Sequence, residues 1–197
     1  MKGKLIAIEG IDGAGKSTLA RYLKEKLEQM GFPVFLSAEP TKGKYGKLLK
    51  RLIKKGKISL EEEYELFLLD RKNHVKYKII PALRKGKIVL LDRYYLSNAA
   101  YQGARGIPVD EIIKQNEKFA PVPDFVLYLD IQPEKALKRK LRKEAFFEEK
   151  EFLKLVRSYY LQILKRFSHV MIPAGEPKEK VRETALREVL QFLLKDK

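Results

Sequence analysis

The chain has no cysteine, only two histidines and three asparagines in 197 residues. The lack of cysteine excludes a disulfide framework, a cysteine-ligated zinc finger and a thiol nucleophile. His74 and His169 are far apart in sequence, which argues against a histidine-rich metal site. No apolar run approaches the roughly 20 residues of a membrane-spanning helix. Met1-Lys2-Gly3 leads straight into a strand-like segment and not into a leader peptide, so the expectation is a soluble, cytoplasmic protein with no membrane partner. Negative charge is scarce as well: 26 Asp+Glu stand against 42 Lys+Arg, a net +16. Such a surplus attracts polyanions, whether nucleic acid, anionic membrane or phosphorylated small molecules. A lysine-rich solvated surface also accounts for most of it. Few asparagines, no cysteine and abundant Lys and Glu are the composition that adaptation to high temperature produces.

A hydrophobic share of 45% with 10% aromatics excludes a disordered chain, and the length favours one domain with a sizeable core. Short apolar runs recur: Leu5-Ile6-Ala7-Ile8, Val34-Phe35-Leu36, Ile88 to Leu91, Phe125 to Leu129 and Val170-Met171-Ile172. Each is nearly continuous and rich in branched or aromatic residues, the pattern of strands covered on both faces. Helix-period segments separate them, which predicts βαβ crossovers and a parallel sheet. Leu19, Tyr22, Leu23 and Leu27 mark one helix. Ser59 to Glu62 reads as a capping box before Tyr64, Leu66, Phe67 and Leu68, with Pro81 expected to kink that helix near its end. Pro133 opens another helix, and Phe152, Leu155, Val156, Tyr159, Tyr160 and Ile163 form an expected core-facing stripe. Val181, Ala185, Leu186, Val189 and Leu193 close the chain. Positive charge concentrates between Lys42 and Lys57 and between Lys135 and Lys143, runs that are ordinarily solvated helix faces.

Gly10-Ile11-Asp12-Gly13-Ala14-Gly15-Lys16-Ser17 satisfies G-x4-G-K-[ST] between an expected strand and an expected helix. Its glycines allow a concave backbone nest whose N–H groups face phosphate oxygens, and the helix adds its positive end. Lys16 supplies charge for the β- and γ-phosphates, and Ser17 offers Mg²⁺ a hard oxygen. The loop points to an α/β fold of the P-loop NTPase type: three layers, α/β/α, around a five-stranded parallel sheet. It does not by itself name the reaction. Asp92-Arg93-Tyr94 ends the third strand, beside the crevice where ligands of open parallel sheets sit. There Asp92 could hold Mg²⁺ or its water, and Arg93 could clamp a second phosphate. Asn98 and Tyr101, three apart, share a helix face.

These motifs, in this order, resemble the thymidylate kinase family over essentially the whole chain. The resemblance is carried by Ile8 to Thr18, Glu39-Pro40-Thr41, Phe67 with Asp70-Arg71, Asp92-Arg93-Tyr94, Ser97 to Gln102, and Tyr128-Leu129-Asp130 with Pro133-Glu134. It implies a Mg²⁺-dependent transfer of the ATP γ-phosphoryl group to dTMP, giving dTDP and ADP. Gly10 through Thr18 would bind ATP, and Ser17 and Asp92 would serve the metal. Phe67 would stack on thymine, Arg71 would donate to its exocyclic oxygen and Asn98 would read the ring nitrogen. Tyr101 would crowd the sugar's 2′ position, and Asp12 would reach the 3′-hydroxyl. Glu39 would lie in a loop that in the family approaches the acceptor phosphate and metal, Gln102 would line the acceptor pocket, and Arg93 would bridge the acceptor phosphate and the moving group.

Family members differ in where the cation for transfer comes from. Here the loop between Gly10 and Lys16 holds no basic residue, so a short lid at about 136–150 would supply it, through Arg139, Arg142 or Lys143. The family's usual Asp-Arg pair before Phe147-Glu148 is replaced by Ala145-Phe146. Where relatives often carry an Arg before Glu39, this chain has Ser37-Ala38, with Lys42, Lys50 or Arg51 as candidate substitutes. The adenine site is expected to use the 173–177 loop, and the resemblance implies a homodimer formed through apolar helix faces. Two rivals stay open: a kinase for another nucleoside monophosphate or a deoxynucleoside, and a basic P-loop protein that binds nucleic acid. No groove helix or RNA-binding aromatic signature accompanies the charge, so no nucleic-acid partner is expected.

Overall fold

A computed structural model describes residues 3–139 and 146–195, with the side chains of 146–148 outside that description. The strands are β1 (Lys4–Glu9), β2 (Val34–Ala38), β3 (Ile88–Asp92), β4 (Phe125–Asp130) and β5 (His169–Pro173). They form one parallel sheet in the order β2-β3-β1-β4-β5. The helices are α1 (Lys16–Gln29), α2 (Lys44–Lys55), α3 (Leu60–His74), α4 (Ile80–Arg84), α5 (Tyr95–Tyr101), α6 (Val109–Glu117), α7 (Pro133–Lys138), α8 (Phe146–Ile163) and α9 (Lys178–Lys195). All five expected strands and the three-layer α/β arrangement are present. No helix among the described residues is long and apolar enough to cross a membrane.

Burial follows position in the sheet. The central strands β1, β3 and β4 are buried along nearly their whole length. The outer strands are not: β2 is mostly half-buried, and in β5 only Ile172 is buried. The expectation that all five are covered on both faces therefore fails at the edges, where a strand has a neighbour on one side only.

The capping box forms as the pattern requires, with the Ser59 hydroxyl accepting from the Glu62 N–H and the Glu62 carboxylate accepting from the Ser59 N–H. Where a kink at Pro81 was expected, the helix instead widens into a π turn over Val75–Ile79 and resumes as α4 with Pro81 in its first turn. The wide turn makes room for a ring that would clash with the preceding turn and for a residue that cannot donate. The expected core stripe of α8 holds except at Leu155, with Phe152 and Tyr159 packed against the core at its margin. Leu153, Val156, Tyr160 and Ile163, at steps of three and four, are buried, whereas Leu155 is 44% exposed and off the stripe.

The register sets the site. Ile8 pairs with Asp92, and Glu9 with Tyr128, so the carboxyl ends of β1, β3 and β4 finish side by side. The loops leaving those ends share one crevice.

Candidate active site

The loop after β1 is shaped by three glycines with left-handed φ: Gly10 (145°), Gly13 (82°) and Gly15 (98°). A Cβ on Gly10 would sit 2.7 Å from the Leu129 carbonyl oxygen, and one on Gly13 would sit 2.5 Å from that of Ala136. Both positions thus need glycine for backbone angle and for space. Gly15 caps α1 without any side-chain bond, leaving the first-turn amides of a 14-residue helix open to an anion. The Lys16 ammonium arches over the loop and donates to the carbonyls of Gly10 (2.9 Å) and Ile11 (2.8 Å). Burial lowers its pKa to about 7, and the neighbouring Arg93 charge adds to the shift, against the pull of Asp12, Asp92 and Glu9. The Ser17 hydroxyl donates to the Asp92 carboxylate, which joins the two expected metal-site residues.

Arg93 is the one described non-glycine residue with positive φ (71°), a conformation that persists only when its surroundings over-determine it. They do. Its guanidinium pairs with Asp12, donates to Ser97 Oγ (3.0 Å) and lies 5.2 Å from the centre of the Tyr101 ring. The Tyr101 hydroxyl accepts from the Asp12 N–H at 2.9 Å. Beneath them Glu9, fully buried at the end of β1, accepts from the Tyr94 N–H (2.8 Å), Ser97 Oγ (2.6 Å) and the Tyr160 hydroxyl (3.0 Å). Burial raises its pKa in spite of these donors and the Arg93 charge.

Two motifs of the sequence lock together at the cleft wall. Asp70 accepts from the Thr41 N–H and Oγ1 (2.6 Å each) and from the Gly46 N–H (3.0 Å). Its neighbour Arg71, only 1% exposed, meets Glu39 through Nε (2.7 Å) and Nη2 (2.6 Å), and donates through Nη1 to Asn116 Oδ1 (2.7 Å). His74 Nδ1 is 2.9 Å from the other Glu39 oxygen. Burial would raise the Glu39 carboxyl, but the Arg71 charge and the His74 contact outweigh it and hold it below the usual range. Among the candidate cations for the missing Arg, Lys50 reaches this loop from α2, donating to the Pro40 carbonyl at 2.7 Å.

Two cavities flank the phosphate loop. One, of about 280 Å³, is lined by Asp12, Glu39, Phe67, Arg71, Arg93, Asn98, Tyr101 and Gln102, together with Pro40, Ile53, Glu63, Tyr94 and Ser97. It gathers every residue that sequence reasoning put on the acceptor side, from elements up to 90 positions apart. The other, of about 360 Å³, is lined by Ala14, Gly15 and Thr18 of the loop, by Leu19 and Leu129, by Ala174 and Glu176 of the 173–177 loop, and by Arg139, Lys178, Val181 and Arg182. Arg139 donates to the Ala174 carbonyl (2.9 Å) and to that of Gly13 (3.4 Å). Arg142 and Lys143 lie outside the described residues. Sequence reasoning missed Glu9, Glu63, Asn116 and Arg182. Glu9 alone had a local signal, a carboxylate at the buried end of a strand beside the loop.

A thymidylate kinase family profile matches residues 8–185. The chain is 44% identical over 191 residues to a probable thymidylate kinase of Archaeoglobus fulgidus, covering 96% of each chain. It is 54% identical over 138 residues to the thymidylate kinase of Akkermansia muciniphila, covering 70% of this chain and 67% of the relative. With the thymidylate kinase of Xanthomonas campestris pv. campestris it shares 44% over 184 residues, 92% of this chain and 81% of that one. Fold, phosphate loop and these matches agree: the chain belongs to the thymidylate kinase family, whose reaction, phosphoryl transfer to a nucleoside monophosphate, thymidylate, is its own.

Proposed function

We propose that ATP, bound with Mg²⁺, occupies the cavity beside Ala14, Gly15 and Thr18, and that dTMP occupies the cavity beside Asp12, so that the two phosphate chains meet over the Gly10–Ser17 loop. The observation that carries this reading is the pair of cavities sharing one loop, with Asp12 facing one and Ala14 the other.

Phe67 stacks on the thymine ring, Arg71 donates to its exocyclic oxygen and Asn98 reads the ring nitrogen. Tyr101 excludes a 2′-hydroxyl, and Asp12 reaches the 3′-hydroxyl. Glu39 holds Arg71 in place, and Gln102 backs Asn98. The acceptor phosphate is itself the nucleophile, so the protein's task is positioning and charge neutralisation. Arg93, pinned between Asp12 and Ser97, bridges the acceptor phosphate and the moving group. Lys16 exchanges its two carbonyl partners for β- and γ-phosphate oxygens. No group of three or more His, Cys, Asp or Glu among the described residues could hold a metal alone. The Ser17–Asp92 pair fits Mg²⁺ all the same, because this ion takes one or two protein oxygens and completes its shell from phosphates and water. When bound, it neutralises charge between the β- and γ-phosphates.

A lid at about 136–150 completes the donor site and supplies the transfer cation. The carbonyl of Ala136 fills the space that a side chain on Gly13 would need, which supports a cation from outside the loop, and Arg139 already touches the loop backbone. A cytoplasmic homodimer is part of the same proposal. It is supported by the exposed Leu69 and Tyr77 along the helix that carries Phe67, and light scattering of the purified protein tests it.

An acceptor panel of dTMP, dUMP, dCMP, dAMP and thymidine tests the substrate; equal rates across the bases would remove it. On the same assay Phe67→Ala should raise the KM for dTMP about tenfold or more, with kcat less affected, because stacking on a base is worth about 1–3 kcal/mol. The low pKa of Lys16 adds a second test. Near pH 8 the ammonium of the free enzyme is mostly deprotonated, and phosphates set against it restore the charge. ATP binding should then take up about 0.5–0.9 proton at that pH. Calorimetry in two buffers of different ionisation enthalpy measures this uptake, and binding without it would contradict the role of Lys16.

A further inference from the structure

The acceptor cavity contains a polar atom that no described residue satisfies. Asn98, 2% exposed, donates from Nδ2 to Gln102 Oε1 at 3.0 Å, while its Oδ1 is buried without a partner. The cause of that arrangement lies further back. Gln102 Nε2 donates to Glu63 Oε1 at 2.8 Å, and Arg105 Nη1 lies 2.8 Å from both oxygens of Glu63. A carboxylate clamped by a guanidinium only accepts. Gln102 must therefore turn its amide nitrogen to Glu63 and its oxygen to Asn98. Asn98 must in turn spend its nitrogen on Gln102, which leaves its oxygen for the ligand. If Asn98 were reversed, two acceptors would face each other in a buried site.

We infer that Glu63 is a positioning residue that sets the hydrogen-bonding polarity of Asn98, through Gln102, and thereby makes the site select a pyrimidine that donates at its ring nitrogen. Thymine carries N3–H and an acceptor at position 4. Cytosine carries a bare N3 and an amino group there. With its oxygen presented, Asn98 accepts from the first and opposes the second, in step with Arg71, which can only donate. Glu63 stands in a run of three glutamates at the start of α3; Glu62 is taken by the helix cap, and contacts to Gln102 and Arg105 set Glu63 apart from Glu61.

The inference rests on the proposed reading of Asn98, and the experiment separates the two. The ratio of kcat/KM for dTMP to that for dCMP is measured for the wild type, for Glu63→Gln and for Glu63→Gln combined with Gln102→Glu. In the single variant the new amide offers Gln102 a donor or an acceptor, so the relay loses its direction and the ratio should fall about 10- to 100-fold. In the double variant a carboxylate at position 102 accepts from Asn98 on one side and from the amide at position 63 on the other. Most of the ratio should return, which a merely structural role for Glu63 would not produce. An unchanged ratio in Glu63→Gln overturns the inference, and so does a double variant no more selective than the single one. Should Glu63→Gln fail to fold by circular dichroism, Gln102→Leu cuts the relay at its middle. The same fall in the ratio is expected there, and an unchanged ratio overturns the inference. A wild type without preference for dTMP over dCMP would instead fail the reading of the site itself.

Discussion

Lys16→Ala should lower kcat about 10³-fold, with a smaller change in the KM for dTMP. The side chain ends in a loop whose other donors are backbone amides, so it brings the loop's only mobile positive charge to the phosphates. Losing one preorganised charged donor from a water-poor site costs about 10²–10³ in rate. The fold should tolerate the change, because the described bonds of Lys16 go to two loop carbonyls and burial itself favours its uncharged form. Single-turnover phosphorylation of dTMP measures the effect. Turnover within a few-fold of wild type would remove Lys16 from the machinery. Arginine should not rescue it, since a wider, planar guanidinium cannot occupy the position of a compact ammonium in this narrow loop.

The second large effect is on stability. Glu39→Ala should cost about 3–5 kcal/mol, because it leaves the Arg71 guanidinium buried without a counter-charge, held by a hydrogen bond to Asn116 and the face of the Tyr94 ring. For a chain of this size that corresponds to a fall in Tm of about 6–20 °C by thermal denaturation. A change of only a degree or two would mean that Arg71 relaxes to solvent. The effect should depend on pH with a definite sign. Since the folded state holds the Glu39 carboxyl below its ordinary 4.5, the unfolded chain takes up the proton first as acid is added. The stability that Glu39 contributes is present above that value and is lost as pH falls through the lower folded value. The Tm gap between wild type and Glu39→Ala should therefore narrow in acid. Glu9 runs the other way. Its raised pKa means that the unfolded chain gives up the proton first as pH rises past 4.5, so its contribution falls between there and the folded value. Only the narrowing of the Glu39 gap isolates that residue.

Much of the site was legible because its signals are local. The phosphate loop is eight consecutive residues, and its chemistry follows from their order. Alternation of apolar runs with helix periods is enough for a parallel sheet, and the Ser59–Glu62 cap is a four-residue pattern. Errors arose where the local signal did not record the neighbours. The α8 stripe passes through Leu153 and not Leu155, which only the facing surface decides. The outer strands carry apolar runs of the same kind as the inner ones, though shorter, yet lie half open at the sheet edges. The turn before Pro81 widens to take a ring that cannot donate, where the sequence shows the proline but not how the helix accommodates it.

The amino-acid order by itself determined that the chain is an α/β phosphate-loop enzyme and which residue types serve each phosphate, because nests, caps and strand runs are made by residues a few positions apart. The tertiary structure alone decided how those residues are aimed. Glu9 and Tyr160 meet across 151 positions, Arg71 and Asn116 across 45, and Gln102 and Glu63 across 39. In each case a buried charge or amide had to find its partner in the folded core, where leaving it unpaired costs more than any local preference along the chain supplies.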